Sequence, residues 1–256
     1  MKHYFSASFA TVSAAAAIAA ISHAASAACV GGSLLKGGFS VTIFGQLVSG
    51  GGTEGLAGVI KSNGKCGLTG TLYGNINNQA VSAASVTGSY SINADLSGSM
   101  TVAIPGYNPL TFGVNMASKD KEVLGLETDG AGFVKLDAKA QVTKTFSVAS
   151  LSGKYSYICY APDFQYQYGV DTFDGAGHGT EVNYFYGSNG LVYTVNGTFT
   201  YIVGADGSFS STLSASGGPY IDGGALDTSS GDIQEAGITA NGSAVGQAGL
   251  CVEKKQ

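Results

Sequence analysis

Tyrosine and phenylalanine crowd one stretch of this chain: Tyr155, Tyr157, Tyr160, Phe164, Tyr166, Tyr168, Phe173, Tyr184, Phe185, Tyr186 and Tyr193. Tyr offers an apolar ring face with a hydroxyl at its tip, so several of them on adjacent strands can line a cavity and orient what enters it. Alternation along Phe164-Gln-Tyr166-Gln-Tyr168-Gly-Val170 puts Phe164, Tyr166, Tyr168 and Val170 on one face, with Tyr155 and Tyr157 as neighbours on the preceding strand. Tyr155, Tyr157, Phe164, Tyr166 and Tyr168 are therefore the candidate ligand-binding residues. The chemistry they suit is burial of a small apolar or amphiphilic molecule, not bond making. Filling of a core is the competing role for the same rings.

Catalytic and metal-binding arrangements are sparse by comparison. After the N-terminal leader described below, His178 in Gly177-His178-Gly179 is the one histidine, and a Ser-His-Asp triad would have to use it. No G-x-S-x-G elbow accompanies it, so an exposed turn residue is the expectation. Asp171 and Asp174 beside Gly175 to Gly177 offer oxygen ligands of the kind calcium takes, but the spacing matches neither the EF-hand loop nor the Gly-rich nonapeptide repeat. Asp174-Gly175 reads as a hairpin turn. A zinc site lacks C-x-x-C or Cys-His spacing. No cofactor or metal is expected, and no residue set stands out for catalysis.

All 12 basic residues are Lys, and without Arg the chain has no bidentate clamp for phosphate or carboxylate. An apolar Ala-rich run from about Tyr4 to Ile21, followed by Ala25-Ser26-Ala27, has the form of a secretory signal peptide cleaved after Ala27. Cleavage removes Lys2 and no acid, leaving 11 Lys against 17 Asp and Glu, a formal charge of −6. Such a chain repels nucleic acid and anionic lipid. A secreted or periplasmic location follows, with no membrane insertion after cleavage. It is an oxidising compartment, where Cys29, Cys66, Cys159 and Cys251 pair.

The chain beyond the leader is an internal repeat of about 113 residues, with shared landmarks in the same order. Leu35-Lys-Gly-Gly-Phe39-Ser-Val41 answers to Leu151-Ser-Gly-Lys-Tyr155-Ser-Tyr157, and Gly58-Val59 to Gly169-Val170. Val86 to Tyr90, with Ala94-Asp95 and Gly98 to Met100, is set against Val195 to Phe199, with Ala205-Asp206 and Gly207 to Phe209; Gly125 to Gly130 is set against Gly237 to Gly242. The apolar period is that of strands: Phe39, Val41, Ile43 and Leu47 fall on one face, Ser40, Thr42 and Gln46 on the other. Asn-Gly and Asp-Gly pairs at 63, 129, 174, 189, 206, 222 and 241 are read as type I′ hairpin turns between strands.

The expected fold is therefore all-β: two tandem antiparallel eight-stranded barrels, a first repeat over 28–141, a short linker over 142–149 and a second repeat over 150–256. Closure removes exposed strand edges. Cys159 lies in the first strand of the second repeat and Cys251 in its last, strands that adjoin only when the sheet closes, so a Cys159–Cys251 bridge would lock the seam. Cys29 would then pair with Cys66. The linker, without Pro or Gly, implies docked domains.

The framework Leu-x-Gly-x-Tyr, Phe173-Asp-Gly-Ala-Gly177, Asn196-Gly-Thr-Phe-Thr-Tyr201 and Ala205-Asp-Gly-Ser-Phe209 resembles secreted bacterial proteins with an allene-oxide-cyclase-like, calycin-like barrel. The second repeat carries the pattern closely and the first more loosely. The resemblance implies an eight-stranded barrel and supplies no catalytic residue at any position here. Three functions are weighed: ligand binding in the second barrel; a structural or surface-interaction role through protein, glycan or self contact; and a cyclase or isomerase that merely shapes an apolar substrate.

Overall fold

The computed structural model describes residues 29–256 except 49–51, 78, 119–121, 131, 142–144, 161–165, 187–191, 216–217, 228–231 and 240–248. The expected leader lies outside the described residues, as do Asn189-Gly190 and Asn241-Gly242.

Sixteen strands form two closed antiparallel barrels. The first contains β1 (Lys36–Leu47), β2 (Thr53–Asn63), β3 (Gly67–Ile76), β4 (Gln79–Ile92), β5 (Ser97–Ala103), β6 (Leu110–Ser118), β7 (Glu122–Glu127) and β8 (Gly132–Ala140). The second contains β9 (Ser152–Tyr160), β10 (Tyr166–Asp174), β11 (His178–Tyr186), β12 (Val192–Val203), β13 (Ser208–Ala215), β14 (Gly218–Asp227), β15 (Asp232–Thr239) and β16 (Leu250–Lys255). Strands follow one another in chain order, and each barrel closes by pairing its last strand with its first, β8 with β1 and β16 with β9.

The Asn-Gly and Asp-Gly turns depart from the type I′ expectation. Gly64, Gly130, Gly175 and Gly207 take φ of 70°, 82°, 74° and 83°, whereas the Asn or Asp before each keeps negative φ. Type I′ needs positive φ at both positions. These loops are instead closed by the side chain: Asn63 Oδ1 accepts from the N–H groups of Lys65 (2.6 Å) and Gly67 (3.0 Å), and Asp174 Oδ1 from those of Ala176 (2.7 Å) and His178 (3.0 Å). Asp222-Gly223 is no turn at all, because it lies within β14. A Cβ on Gly223 would stand 2.3 Å from the Tyr73 ring of the first barrel, so close approach of the barrels is what requires glycine there.

Strand register corrects one landmark of the repeat. Tyr90 is opposite Met100 and Tyr201 opposite Ser211, so Tyr90 matches Tyr201, two residues beyond the Phe199 suggested by sequence. Both tyrosines tie the barrel to its N-terminal lead. The Tyr90 hydroxyl reaches the carbonyls of Gly32 (2.6 Å) and Leu35 (2.7 Å), and the Tyr201 hydroxyl those of Val148 (3.2 Å) and Leu151 (3.0 Å). Cys159 and Cys251 face each other across the β9–β16 seam and are bonded, while Cys29 is bonded to Cys66. Both pairings agree with the sequence reading.

The first barrel is packed with Phe39, Ile43, Leu56, Leu72, Phe112 and Leu136, all buried. A void of about 10 Å³ among Leu35, Phe39, Ile60 and Met100 has room for about one water. Its outer wall at β2 and β3 meets β14 and β15 of the second barrel. Ala57 and Phe44 pack there with Ala236 and Leu250; Lys61 pairs with Asp206 at 3.2 Å, and Gln141 Nε2 donates to the Leu226 carbonyl at 3.1 Å. The polar face of β1 is thereby covered too: Ser40 and Thr42 are buried although they point out of their own barrel.

Candidate functional site

The interior of the second barrel is divided along its axis. One end is an apolar plug in which Tyr155, Phe199 and Tyr201 pack edge-on around Phe173 with centroids 5.0 to 5.2 Å apart, over Phe209, Leu226 and Ile233. These rings are core. Gly179 makes room for Phe199, whose ring would meet a Cβ there at 2.2 Å.

Beyond the plug the inward positions become polar. Asp171 is opposite Tyr155 and Glu181, Asp222 is opposite Ser211, and Glu253 is opposite Tyr157. Directly opposed residues share a face, so these four carboxylates belong to the inside with Tyr157, Gln167, Asn183 and Ser211. Asp171 is 9% exposed and Glu253 1%, whereas Glu181 and Asp222 keep partial exposure. Tyr157 lies over Gly169 and donates its hydroxyl proton to Glu181 Oε1 at 2.6 Å; Asn183 Nδ2 donates to Gln167 Oε1 at 3.1 Å. Val195 and Leu213, opposite Asn183 and Phe199, supply apolar wall.

Burial, reinforced by Glu181 and Asp222, pushes the Asp171 carboxyl up to about 8. Burial and then Glu181 raise Asp222 to about 7. Glu181 is raised by burial, with the Tyr157 and Asn183 hydrogen bonds opposing. None of the three ion pairs among the described residues, Lys61–Asp206, His178–Asp174 and Lys254–Asp232, involves this group. Among the described residues no three acids, histidines or cysteines converge closely enough to hold a metal ion.

The first barrel has a smaller acidic feature. Glu54, 2% exposed, and Glu127 sit near one end, both pushed up to about 7, Glu54 by burial and the charges of Glu127 and Asp129, Glu127 by burial and Asp129.

Of the five aromatics singled out by sequence, Tyr155 and Tyr157 point inward, Tyr155 into the plug and Tyr157 beside the carboxylates. Tyr168 is on the outer wall, 48% exposed, stacked on Tyr184 with centroids 5.1 Å apart. Phe164 lies outside the described residues, and of Tyr166 only the backbone, in β10, is described. The five are therefore not brought together. The alternation was right in period but assigned to the wrong side: Gln167, Gly169, Asp171 and Phe173 face the inside. One signal for this lay in the repeat, since matching Gly58-Val59 to Gly169-Val170 sets Asp171 on Ile60, a core position. His178 is exposed as expected, 3.4 Å from Asp174, but it opens β11 instead of lying in the turn before it.

No protein-family model and no curated protein matches this chain. Among solved structures it is similar to a protein of unknown function from the DUF3598 family of Nostoc punctiforme, at a TM-score of 0.31 and 11% identity, over 86% of this chain and 96% of that one. A likeness this distant says nothing about what the chain does, and the site stands on its own geometry.

Proposed function

We propose that the protein is an exported binding protein whose second barrel holds a small amphiphilic ligand, its polar end among Asp171, Glu181 and Asp222 and its apolar part against Tyr157, Val195 and Leu213. The observation that carries this reading is internal to the chain. At the strand positions of Asp171, Glu181, Asp222 and Glu253 the first barrel has Ile60, Gly70, Phe112 and Ala138. The same framework closes with apolar residues there, so the fold does not call for the acids. Burying ionisable groups costs free energy unless something compensates, and a ligand is such a compensation. The signal-peptide-like leader and the two disulfides support export. The resemblance to allene-oxide-cyclase-like barrels supports the eight-stranded barrel without supplying a catalytic group.

Native mass spectrometry of protein from its producing cells tests this. Wild type should carry a stoichiometric small molecule that the Asp171→Asn/Asp222→Asn variant lacks. Identical apo masses for the two would overturn the reading.

A surface-interaction role is the second reading, favoured by the outer wall of β9 to β11, where stacked Tyr168 and Tyr184 adjoin exposed Ile158 and Val182. It predicts that Tyr168→Ala abolishes partner contact while leaving the interior unchanged.

A further inference from the structure

The interior of the second barrel is rich in hydrogen-bond acceptors and poor in donors. Asn183, 4% exposed, has its Oδ1 without a hydrogen-bond partner, and so has Asp171, 9% exposed, at Oδ1. Both lie on inward positions of adjacent strands, where Asp171 is opposite Glu181 and Asn183 is opposite Gly169. Two of the donors nearby are already engaged, the Tyr157 hydroxyl with Glu181 and the Asn183 amide with Gln167. Buried acceptors of this kind are ordinarily satisfied, and leaving one open costs free energy. A carboxylate ligand would add charge of the same sign and bring no donor. A neutral alcohol brings one donor. An ammonium group brings two or three, together with the opposite charge.

Resting on the binding reading above, we propose that the ligand of the second barrel is an organic amine, held in its ammonium form with its N–H groups donated to Asp171 Oδ1 and Asn183 Oδ1 and its charge balanced by Asp171, Glu181 and Asp222. An organic cation fits better than a bare metal ion, because the acids influence one another electrostatically yet do not converge as metal ligands among the described residues. In the absence of the amine, protons occupy part of this role, since Asp171 and Asp222 hold theirs up to about 8 and about 7. Amine binding therefore expels protons, and affinity weakens as pH falls. The groups facing Asp171 set this linkage: Tyr155 and Tyr157 from β9, Glu181 from β11, Asp222 from β14 and Glu253 from β16. Lys255 is directed to the Tyr155 ring, with Nζ 5.9 Å from its centroid.

Isothermal titration calorimetry of the full chain with hexylamine, hexan-1-ol and hexanoate at pH 7.5 separates the possibilities. Hexylamine should bind at least about tenfold more tightly than hexanol, hexanoate should bind more weakly than either, and the amine should weaken at least about fivefold on lowering the pH to 5.5. Asp171→Asn/Asp222→Asn should reduce the amine preference to within about threefold of the alcohol; Asn183→Asp, which keeps an acceptor in place, should retain it. Hexanol binding as tightly as hexylamine would overturn the amine assignment while leaving the binding reading standing. Failure of all three probes would overturn the amine assignment, and an apo mass in the native spectrum would then remove the binding reading as well.

Discussion

The two barrels are one framework filled in two ways. In the first, Ile60, Phe112 and Ala138 join a continuous apolar core; in the second, Asp171, Asp222 and Glu253 stand at the same strand positions, and among the described residues the apolar filling is concentrated at the Tyr155–Phe173–Phe209 end. Eight strands closing on themselves need inward side chains of suitable volume, and carbon satisfies that need at least cost. At Asp171, Asp222 and Glu253 the departure from carbon is what the proposed ligand accounts for. The contrast also shows which features are architectural, because both copies keep them: a tyrosine hydroxyl fastening the N-terminal lead, an Asn or Asp closing the turn after the second strand, and a positive-φ glycine, Gly64 or Gly175, directly after that residue.

The largest effect expected on this comparison comes from the cross-links. Replacing Cys159 and Cys251 with Ala opens a loop of 92 residues at a barrel seam, and replacing Cys29 and Cys66 opens one of 37. The chain-entropy model gives losses of about 5 and about 4 kcal/mol, so urea denaturation should find the second barrel the more dependent on its bridge. Equal losses would mean that the seam is held by its strands alone.

Moving an acid into the first barrel should cost nearly as much. Ile60→Asp creates in the first barrel the group that the second holds at Asp171, but among the apolar side chains of Phe39, Leu68 and Met100. A loss of about 3 to 4 kcal/mol at pH 8 is expected by denaturation. A loss under about 1 kcal/mol would show that these barrels tolerate inward carboxylates generally and would weaken the argument from the repeat.

The pH dependence follows from the raised carboxyls. Asp171, Asp222, Glu54 and Glu127 titrate at about 7 to 8 in the folded chain, above the ordinary carboxylate range, so between about pH 4 and 8 the folded state binds more protons than the unfolded one. Stability must then fall as pH rises through that window, by roughly 2 kcal/mol or more in total. Thermal unfolding should give a higher Tm at pH 5 than at pH 8.5. Glu54→Gln should flatten the first barrel's share of the slope and leave the share of Asp171 in place.

The smallest expected difference distinguishes the two fastening tyrosines. Tyr90 also accepts from Ser62 Oγ at 2.8 Å, a partner that Tyr201 lacks at the matching position, where Phe173 stands. Tyr90→Phe should cost about 1 to 2 kcal/mol and Tyr201→Phe about 1 kcal/mol. Equal costs would indicate that Ser62 finds its bond elsewhere.

Much of the fold was legible because its signals are local and repeated. Two-residue alternation, turn glycines and a doubled set of landmarks define sixteen antiparallel strands, and two cysteines at the ends of one repeat specify closure. The site was less legible, for a physical reason. Alternation fixes which residues share a face but not which face is inside, and in β10 both faces carry large residues, Tyr168 on one and Phe173 on the other. Asp222-Gly223 misled in the same way, since a turn signature and a close approach between two barrels both require glycine. The acids themselves gave no motif, being spread over β10, β11, β14 and β16 and brought together only by closure.

Urea denaturation at pH 8 of wild type and Asp171→Asn/Asp222→Asn, both free of added ligand, addresses the central claim that the acids serve function at the expense of stability. The variant should be the more stable by about 2 kcal/mol, because its amides need not be held charged or protonated inside the barrel. A variant less stable than wild type would show that the carboxylates hold the barrel together and would contradict this account.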